Sequence, residues 1–277
     1  MEKTDVQRRV PENTKSNRQY FPFFHCPLLR IFIVKFHVHN HRHNFMSTFG
    51  NRLYDFYTAL RLETPLPSGI QAMNPYLNSA TQACVRAFCD KYFADNNERV
   101  SVWGINPGRF GGGLTGLSFT DPVILREVCG IANPLGTKRE LSAEYVWSVI
   151  AEMGGAERFF GDFFLTALCP LGFVLQKEKG EVNYNFYDDS ALFQAVKPFM
   201  VNTMQQQIVM GLRRDVAVCF GTGKLQRAFE AINAEYSFFE RILPLEHPRF
   251  IMQYRRKEIV QYRQKYRDIL GLSLGYL

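Results

Sequence analysis

Two loops of this 277-residue chain carry residue types that could act on a bound ligand. The first reads GINPGRFGGGLTGLSF over residues 104–119 and follows the apolar stretch VSVW. Its Asn106 offers an acceptor and a donor that do not titrate, so it can hold a water molecule or a ligand edge. Five glycines between residues 108 and 116 allow close approach of the backbone to a ligand. An ordinary glycine-rich turn capped by Asn106 is the open alternative.

The second loop reads LEHPRF over residues 245–250 and contains His247, the only histidine after residue 46. A histidine at this place can stabilise negative charge that develops on a leaving group, through a hydrogen bond or a positive charge. A lone histidine is more often a packed or surface residue. The position of His247 at the end of an apolar stretch nevertheless favours the interpretation that it stabilises negative charge.

The elements that must position these loops alternate between helices and short apolar strands. The patterns predict strands over residues 100–105, 163–168, 215–220 and 242–245. They predict helices over residues 46–62, 77–93, 121–131, 141–153, 188–212, 224–234 and 253–270. This order indicates a three-layer α/β/α fold with a central four-stranded, mostly parallel sheet. Ligand sites of such sheets lie beyond the carboxyl ends of the strands. Asn106 and His247 should therefore share one rim, with residues 169–187 and 221–224 as the other loops.

Composition excludes several classes of protein. The six cysteines are scattered singly, without the CxxC pairs of a zinc site or the spacing of an iron–sulfur cluster. The sequence GTGK at residues 221–224 lacks the spacing of a nucleotide-binding phosphate loop. The apolar stretch near the amino terminus is interrupted by Arg30 and Lys35, so it does not predict a membrane span.

Residues 1–45 differ in composition from the rest of the chain. They hold eight of the 33 Lys and Arg residues but only three of the 26 Asp and Glu residues. They end in HVHNHRHN at residues 37–44, which suits either a metal-binding tract or a disordered tail. We expect residues 1–45 to be a disordered or spurious extension, Met46 to be the biological start, and residues 46–277 to form a single domain.

The two loops together resemble the first and last motifs of the uracil-DNA glycosylase superfamily. The resemblance is greatest to its single-strand-selective monofunctional branch, whose motifs are similar to GMNPGPFG…TGVPF and HPSP. The counterparts here are GINPGRFGGGLTGLSF and HPRF, and FLTALCPL at residues 164–171 resembles the middle element of the family. The resemblance implies a uracil-DNA glycosylase fold and hydrolysis of the bond between uracil and its sugar, the first step of base excision repair.

The resemblance also implies roles for individual residues. Asn106 would position the attacking water, and His247 would stabilise negative charge on the departing base. The backbone of Ile105 and Gly108 would bind the flipped base, and Phe119 would stack on it. Extrusion of the base is required because the glycosidic bond cannot be reached inside the stack. We expect a monomer in the bacterial cytoplasm, associated with the nucleoid, that acts on DNA containing uracil or other deaminated bases, with no metal, cofactor or membrane.

One departure from the family pattern concerns base recognition. The family carries an Asn just before LCPL in the middle element, where this chain has Ala167. Thr166, Asn183 and Asn185 are the candidates to replace it. This predicts a divergent, bacterial-type subfamily with an altered or broader base preference. The missing Asn also leaves open a nucleic-acid binding protein of the same fold with weak or no catalysis; an unrelated α/β protein with a chance loop match is the third alternative.

The chain turns basic after His247. Seven Arg or Lys residues between positions 249 and 267 face only Glu258, and three tyrosines lie among them. Cations beside a catalytic loop suit phosphate contacts, and aromatic rings can stack on unpaired bases. Arg249, Arg255 and Arg256 are the predicted DNA-binding residues because they are nearest the site. For the distal half, a solvated amphipathic helix is the alternative.

Overall fold

A computed structural model describes residues 47–275. The predicted extension and its histidine tract lie outside these residues. The helices are α1 Phe49–Ala59, α2 Ser79–Tyr92, α3 Gly112–Thr115, α4 Pro122–Glu127, α5 Leu141–Glu152, α6 Ala156–Asp162, α7 Ser190–Val209, α8 Lys224–Tyr236, α9 Pro248–Tyr254 and α10 Ile259–Leu274. The strands are β1 Ile70–Met73, β2 Arg99–Gly104, β3 Phe163–Ala167, β4 Gly172–Lys177, β5 Gly180–Tyr184, β6 Leu212–Phe220 and β7 Ile242–Leu245.

The central sheet has four parallel strands in the order β3-β2-β6-β7 and is flanked by helices, so the predicted fold class is confirmed. Every residue of β2 and β3 is buried. Strands covered on both faces are apolar almost throughout, which is why these strands could be recognised in the sequence. The parallel register brings the carboxyl ends of β2, β3, β6 and β7 to one edge of the sheet.

Several helices begin at side chains that satisfy free backbone N–H groups. Thr48, Asn78, Asp121 and Asp189 accept hydrogen bonds from the first turns of α1, α2, α4 and α7. The apolar faces of these helices join one hydrophobic core together with the sheet. No helix in residues 47–275 combines the length and the apolar character that a bilayer crossing requires.

A second sheet was not predicted. Strands β1, β4 and β5 form an antiparallel sheet, so much of the predicted loop 169–187 is a β-hairpin. The chain turns between Lys177 and Gly180, where Gly180 has a φ of 104°. Strand β5 is largely exposed, so it lacks the alternation of apolar residues that identifies a strand. Asn183 therefore lies on a strand and not in a loop.

The predicted helix over residues 253–270 was correct from residue 259 onward, but its start was wrong. Two helices occupy this region, α9 and α10, and a 3-10 turn over Arg256–Glu258 separates them. Arg255 leaves the helical conformation with φ −128° and ψ 23°. No proline or glycine marks this break in the sequence. The two helices pack differently, because α9 packs against α5 whereas α10 also contacts β6 and β7. The break is set by tertiary packing.

Candidate active site

The loops that follow β2, β6 and β7, the end of β3 and the segment at the end of β5 surround a cavity of about 420 Å³. This volume lies in the usual range for small-ligand pockets, roughly 300–1,000 Å³. Its lining includes the predicted residues Ile105, Asn106, Gly108, Phe119, Thr166, Asn183, Asn185, His247 and Arg249. The sheet therefore brings together residues that are up to 144 positions apart in the chain.

Asn106 follows β2 directly, and two backbone groups of the hairpin side hold its side chain. Its Nδ2 donates to the carbonyl of Tyr184 at 3.2 Å, and its Oδ1 accepts from the N–H of Phe186 at 3.2 Å. These partners fix which end of the amide carries oxygen. One lone pair on Oδ1 and one hydrogen on Nδ2 remain for a ligand or a water molecule.

His247 lies at the start of α9 and is held as the neutral tautomer with its proton on Nε2. Its Nδ1 accepts from the N–H of Arg249 at 3.1 Å and so caps the helix. Burial lowers the pKa of His247 to about 4, with a smaller effect from the charge of Arg249. A neutral imidazole that accepts at Nδ1 must donate at Nε2. No described residue bonds Nε2, so this donor is free for a ligand in the cavity.

Phe119 forms an aromatic wall of the cavity. Its ring lies 5.5 Å from that of Phe220 and 6.3 Å from that of His247, measured between centroids. The ring covers Gly104 at the end of β2, where an added Cβ would lie 2.7 Å from Phe119 Cζ. Phe119 has a φ of 53°, a conformation that a residue of this size rarely adopts. Trp147 Nε1 donates to its carbonyl at 3.1 Å and helps to hold it there.

The predicted base-reading side chains differ in what they can offer. The hydroxyl of Thr166 donates to Gln207 Oε1 at 2.5 Å in the core, so it is not free to read a base. Asn183 accepts from the N–H of Arg109 through Oδ1 at 3.1 Å and keeps Nδ2 available. Asn185 lines the cavity, and Ala167 lies in its wall. Asn183 and Asn185 thus stay candidates, and the Thr166 side chain does not.

Glu140 is a cavity residue that the sequence did not single out. It precedes α5, and its N–H donates to Asp121 Oδ2 at 2.8 Å. Burial raises the pKa of the Glu140 carboxyl to about 7; the charge of Asp121 adds to this effect and Arg249 opposes it. A single glutamate before a helix is a common sequence feature, so nothing in the sequence distinguished it.

The predicted basic cluster is only partly at the cavity. Arg249 lines it, whereas Arg255 and Arg256 lie outside the lining and face Glu258 and Glu144 at 4.0 and 3.9 Å. Arg255 and Arg256 are exposed, and both lie at the break between α9 and α10. The three predicted residues therefore do not form one compact patch.

Farther along the chain the basic residues have carboxylate partners. Arg263 and Arg267 both contact Glu152, and Lys265 contacts Glu246 at 2.8 Å. These pairs support the alternative of a solvated amphipathic helix for the distal half. Two aromatic side chains at the cavity mouth were not predicted as a pair: Phe250 and Tyr254 are 40% and 69% exposed, with ring centroids 5.7 Å apart.

Within residues 47–275 no group of three or more His, Cys, Asp or Glu side chains could hold a metal ion. The five cysteines of this part of the chain are buried free thiols. The side chains that line the cavity include amides, hydroxyls, an imidazole, a carboxyl, a guanidinium and several aromatic rings, which can bind, orient and donate hydrogen bonds.

Comparison with known proteins adds to this geometry. A family model described as the uracil DNA glycosylase superfamily matches residues 90–271. The crystal structure of wild-type SMUG2 from Pedobacter heparinus is similar to this chain, with 40% sequence identity and a TM-score of 0.79. The match covers 83% of this chain and 98% of that one. The comparison with curated protein sequences gave no match.

Proposed function

This chain belongs to the uracil DNA glycosylase superfamily, and on that premise we propose that it hydrolyses the glycosidic bond of uracil, and of other deaminated bases, in DNA. One observation carries the proposal. Asn106 and His247, from the loops after β2 and β7, open into one cavity, and no other residue in the described part of the chain bonds their ligand-facing groups. A water-holding amide and a neutral N–H donor on one cavity suit the departure of an anionic base.

The reaction requires the target nucleotide to leave the base stack and enter the cavity. The base would stack on Phe119, with the N–H groups of the Ile105–Gly108 backbone along its edge. The carbonyl of Ile105 accepts from the N–H of Cys169 at 3.2 Å, which fixes this peptide at the end of β2, and the N–H of Ile105 would donate to the base. Trp147 holds the carbonyl of Phe119 and the ring of Phe119 packs against Phe220, so this platform exists before the base arrives.

The bond from the sugar C1′ to the base nitrogen breaks, and its electron pair stays on the base. His247 donates its Nε2–H to the base oxygen on which negative charge gathers. Because His247 is neutral, it acts as a hydrogen-bond donor and not as a cation. Asn106 Oδ1 accepts a hydrogen bond from the water whose oxygen adds to C1′. One proton of this water stays in the new sugar hydroxyl, and the other is released to solvent, which balances the proton that the base anion takes up to leave as the neutral base. Loss of one such oriented donor costs about 10²–10³ in rate.

DNA would be held by groups around the cavity mouth. Arg249 can contact a phosphate next to the flipped nucleotide. The exposed pair Phe250 and Tyr254 can stack on bases that lose their partners when the nucleotide is extruded.

A second function is favoured by Ala167, which leaves the wall of the cavity without the amide that the family uses there. A protein that binds DNA through the same surface but cleaves weakly or not at all would have this feature. Affinity for DNA is expected of both candidates, so only turnover distinguishes them.

The test is single-turnover cleavage of oligonucleotides that contain one uracil, single-stranded and paired, with and without a chelator. We expect cleavage that the chelator leaves unchanged. Asn106→Ala should lower the rate about 10²–10³-fold with little change in DNA affinity. Val209→Ala, on the exposed side of α7, is the matched control and should cleave like the parent. Binding without cleavage by the parent would favour the second function. Retained cleavage by Asn106→Ala would contradict the role given to Asn106.

A further inference from the structure

The carboxyl of Glu140 lies against the glycines of the first loop. Its Oε1 lies 3.1 Å from the point where a Cβ on Gly108 would stand, and Oε2 fills the space of a Cβ on Gly111. The absence of side chains at these two positions therefore admits the Glu140 carboxyl to the cavity wall. Gly111 has no positive φ, so close approach and not backbone conformation requires glycine there.

A second polar group meets the same point. Asn183 Nδ2 lies 3.5 Å from the Cβ position of Gly108, while its Oδ1 is already used by the N–H of Arg109. The carboxyl of Glu140, before α5, and the amide donor of Asn183, on β5, thus meet at Gly108, which has no side chain of its own to cover this point. Both residues line the cavity that holds Asn106 and His247.

The Glu140 carboxyl has no hydrogen-bond or ion-pair partner among residues 47–275; only the backbone of Glu140 is bonded, through its N–H to Asp121 Oδ2 and through its carbonyl, which accepts from the N–H of Glu144. Partly buried carboxyl groups are costly to leave without partners. The carboxyl faces the cavity, so a ligand in the cavity is the partner that the geometry leaves for it.

We propose that Glu140, together with Asn183, reads the edge of the flipped base above Gly108 and so determines which bases are excised. This inference rests on the proposed function. A protonated carboxyl donates to a carbonyl oxygen of the base, whereas a carboxylate accepts from a ring N–H or an amino group. Asn183 Nδ2 donates in both cases. Glu140 and Asn183 therefore suit a base edge that presents a carbonyl oxygen to Asn183. The protonation state of Glu140 then selects whether the neighbouring group on the base must be an acceptor or a donor.

The charges around Glu140 place its change of state near neutral pH. Burial has the largest effect and raises the pKa to about 7, Asp121 at the start of α4 raises it further, and Arg249 on α9 opposes both. His247 across the cavity is neutral in this range. Two further cations, Arg109 and Lys138, lie over the ring of Phe110. Base preference should therefore depend on pH between about 6 and 8.

The experiment measures single-turnover rates on oligonucleotides that contain uracil, hypoxanthine or xanthine, at pH 6 and pH 8. For the parent, we expect the ratios of rates between bases to change with pH. For Glu140→Gln, which keeps the size but cannot ionise, the ratios should no longer depend on pH, and at least one should differ from that of the parent by about 10-fold or more. DNA affinity should stay unchanged.

A second variant covers the case in which Glu140→Gln does not fold. Asn183→Ala should also change the base ratios but should keep their pH dependence, because Glu140 still titrates. The inference is wrong if either variant folds and keeps the base ratios of the parent at both pH values. If the parent cleaves none of the three oligonucleotides, the proposed function fails and the inference fails with it; if the parent cleaves and the ratios stay fixed, only the inference fails.

Discussion

His247 has two nitrogen atoms with different partners, and this makes its structural and chemical roles separable. Nδ1 caps α9, and Nε2–H faces the cavity. Asn is also a good helix cap, but its shorter side chain does not carry a donor to the position of Nε2. His247→Asn should therefore lower the single-turnover rate about 10²–10³-fold while the protein keeps its stability. His247→Ala should lose a similar rate and about 1 kcal/mol of stability as well.

Rates and urea unfolding of the three proteins measure these two effects side by side. Equal stability of the Asn and Ala variants would contradict the capping role, and cleavage by His247→Asn at the parent's rate would contradict the donor role. Because the pKa of His247 is about 4, the parent's rate should show no ionisation of this residue near pH 6.5.

Glu140 gives a second prediction, which concerns stability. Its folded pKa of about 7 is above the unfolded value of 4.5, so the folded state binds this proton more tightly. The contribution of this proton to the free energy of unfolding is fully present below pH 4.5 and is lost as the pH rises to about 7. Glu140→Gln cannot ionise, so it should be more stable than the parent above pH 7, by about 1–3 kcal/mol after allowance for partial exposure.

Thermal or urea unfolding from pH 4.5 to pH 8.5 measures the difference between the two proteins. It should be small at the acid end, grow through the interval and level off above about pH 7. A difference that is the same at every pH would show that Glu140 keeps an ordinary pKa in the folded protein.

At the level of single residues, site residues that lie within a recognisable motif could be predicted from the sequence, and site residues outside any motif were missed. Asn106 and His247 lie in short loops after apolar strands, so their position on the rim followed from the pattern. Glu140 could not be found because its importance depends on the space above Gly111, about 30 positions away. The direction of the Thr166 side chain depends on Gln207 in α7, which no local pattern reveals.

At the level of elements, the buried parallel strands were predictable and the exposed ones were not. The residues of β2 and β3 are all buried and therefore form apolar runs, whereas β5 has no such run. The break between α9 and α10 was missed because it depends on what each helix packs against. The course of the chain here has a consequence for DNA binding. Arg249 lies in the first turn of α9 at the cavity, whereas Arg255 and Arg256 lie at the break beyond the other end of this helix.

The basic residues should thus differ in their effect on DNA affinity. Each phosphate contact contributes about 0.9 to the slope of log K against log salt for duplex DNA. Arg249→Ala should lower this slope by about one, and the double change Arg255→Ala with Arg256→Ala by up to about two. Arg263→Ala is the matched control: Arg263 pairs with Glu152 at 3.0 Å, so its loss should leave the slope unchanged.

Binding titrations at several salt concentrations give the slopes. An unchanged slope in the double variant would remove Arg255 and Arg256 from the interface and leave Arg249 as the one supported contact of the three. A lowered slope for Arg263→Ala would show that DNA reaches α10.

At the scale of the whole molecule, the site depends on the parallel sheet. The pairing of Ser101 with Ala217 joins segments more than a hundred residues apart, and the core extends from Phe49 to Leu270. Alternating apolar strands and helices were enough to predict this architecture. The antiparallel sheet that holds Asn106 through Tyr184 and Phe186 was not predictable, because its strands are short and partly exposed.

This core gives a prediction about residues 1–45. The described residues from α1 onward already form a core around the sheet, and the composition changes before residue 46. A chain that begins at Met46 should keep the melting temperature and the single-turnover rate of the full chain. A loss of more than a few degrees or of most of the activity would show that residues 1–45 belong to the folded unit.

The bond from Trp147 to the carbonyl of Phe119 has one more consequence. The chain has two tryptophans, and the other, Trp103, is buried in the central sheet with its Nε1 bonded to Ser101. Indole emission responds to the hydrogen bond that its N–H makes, so Trp147 reports on the peptide that carries the stacking ring. In a Trp103→Phe protein, arrival of a flipped base on Phe119 should change the remaining fluorescence. The molecule thus contains its own optical probe for base extrusion, and stopped-flow emission can time that step separately from bond cleavage without a dye on the DNA.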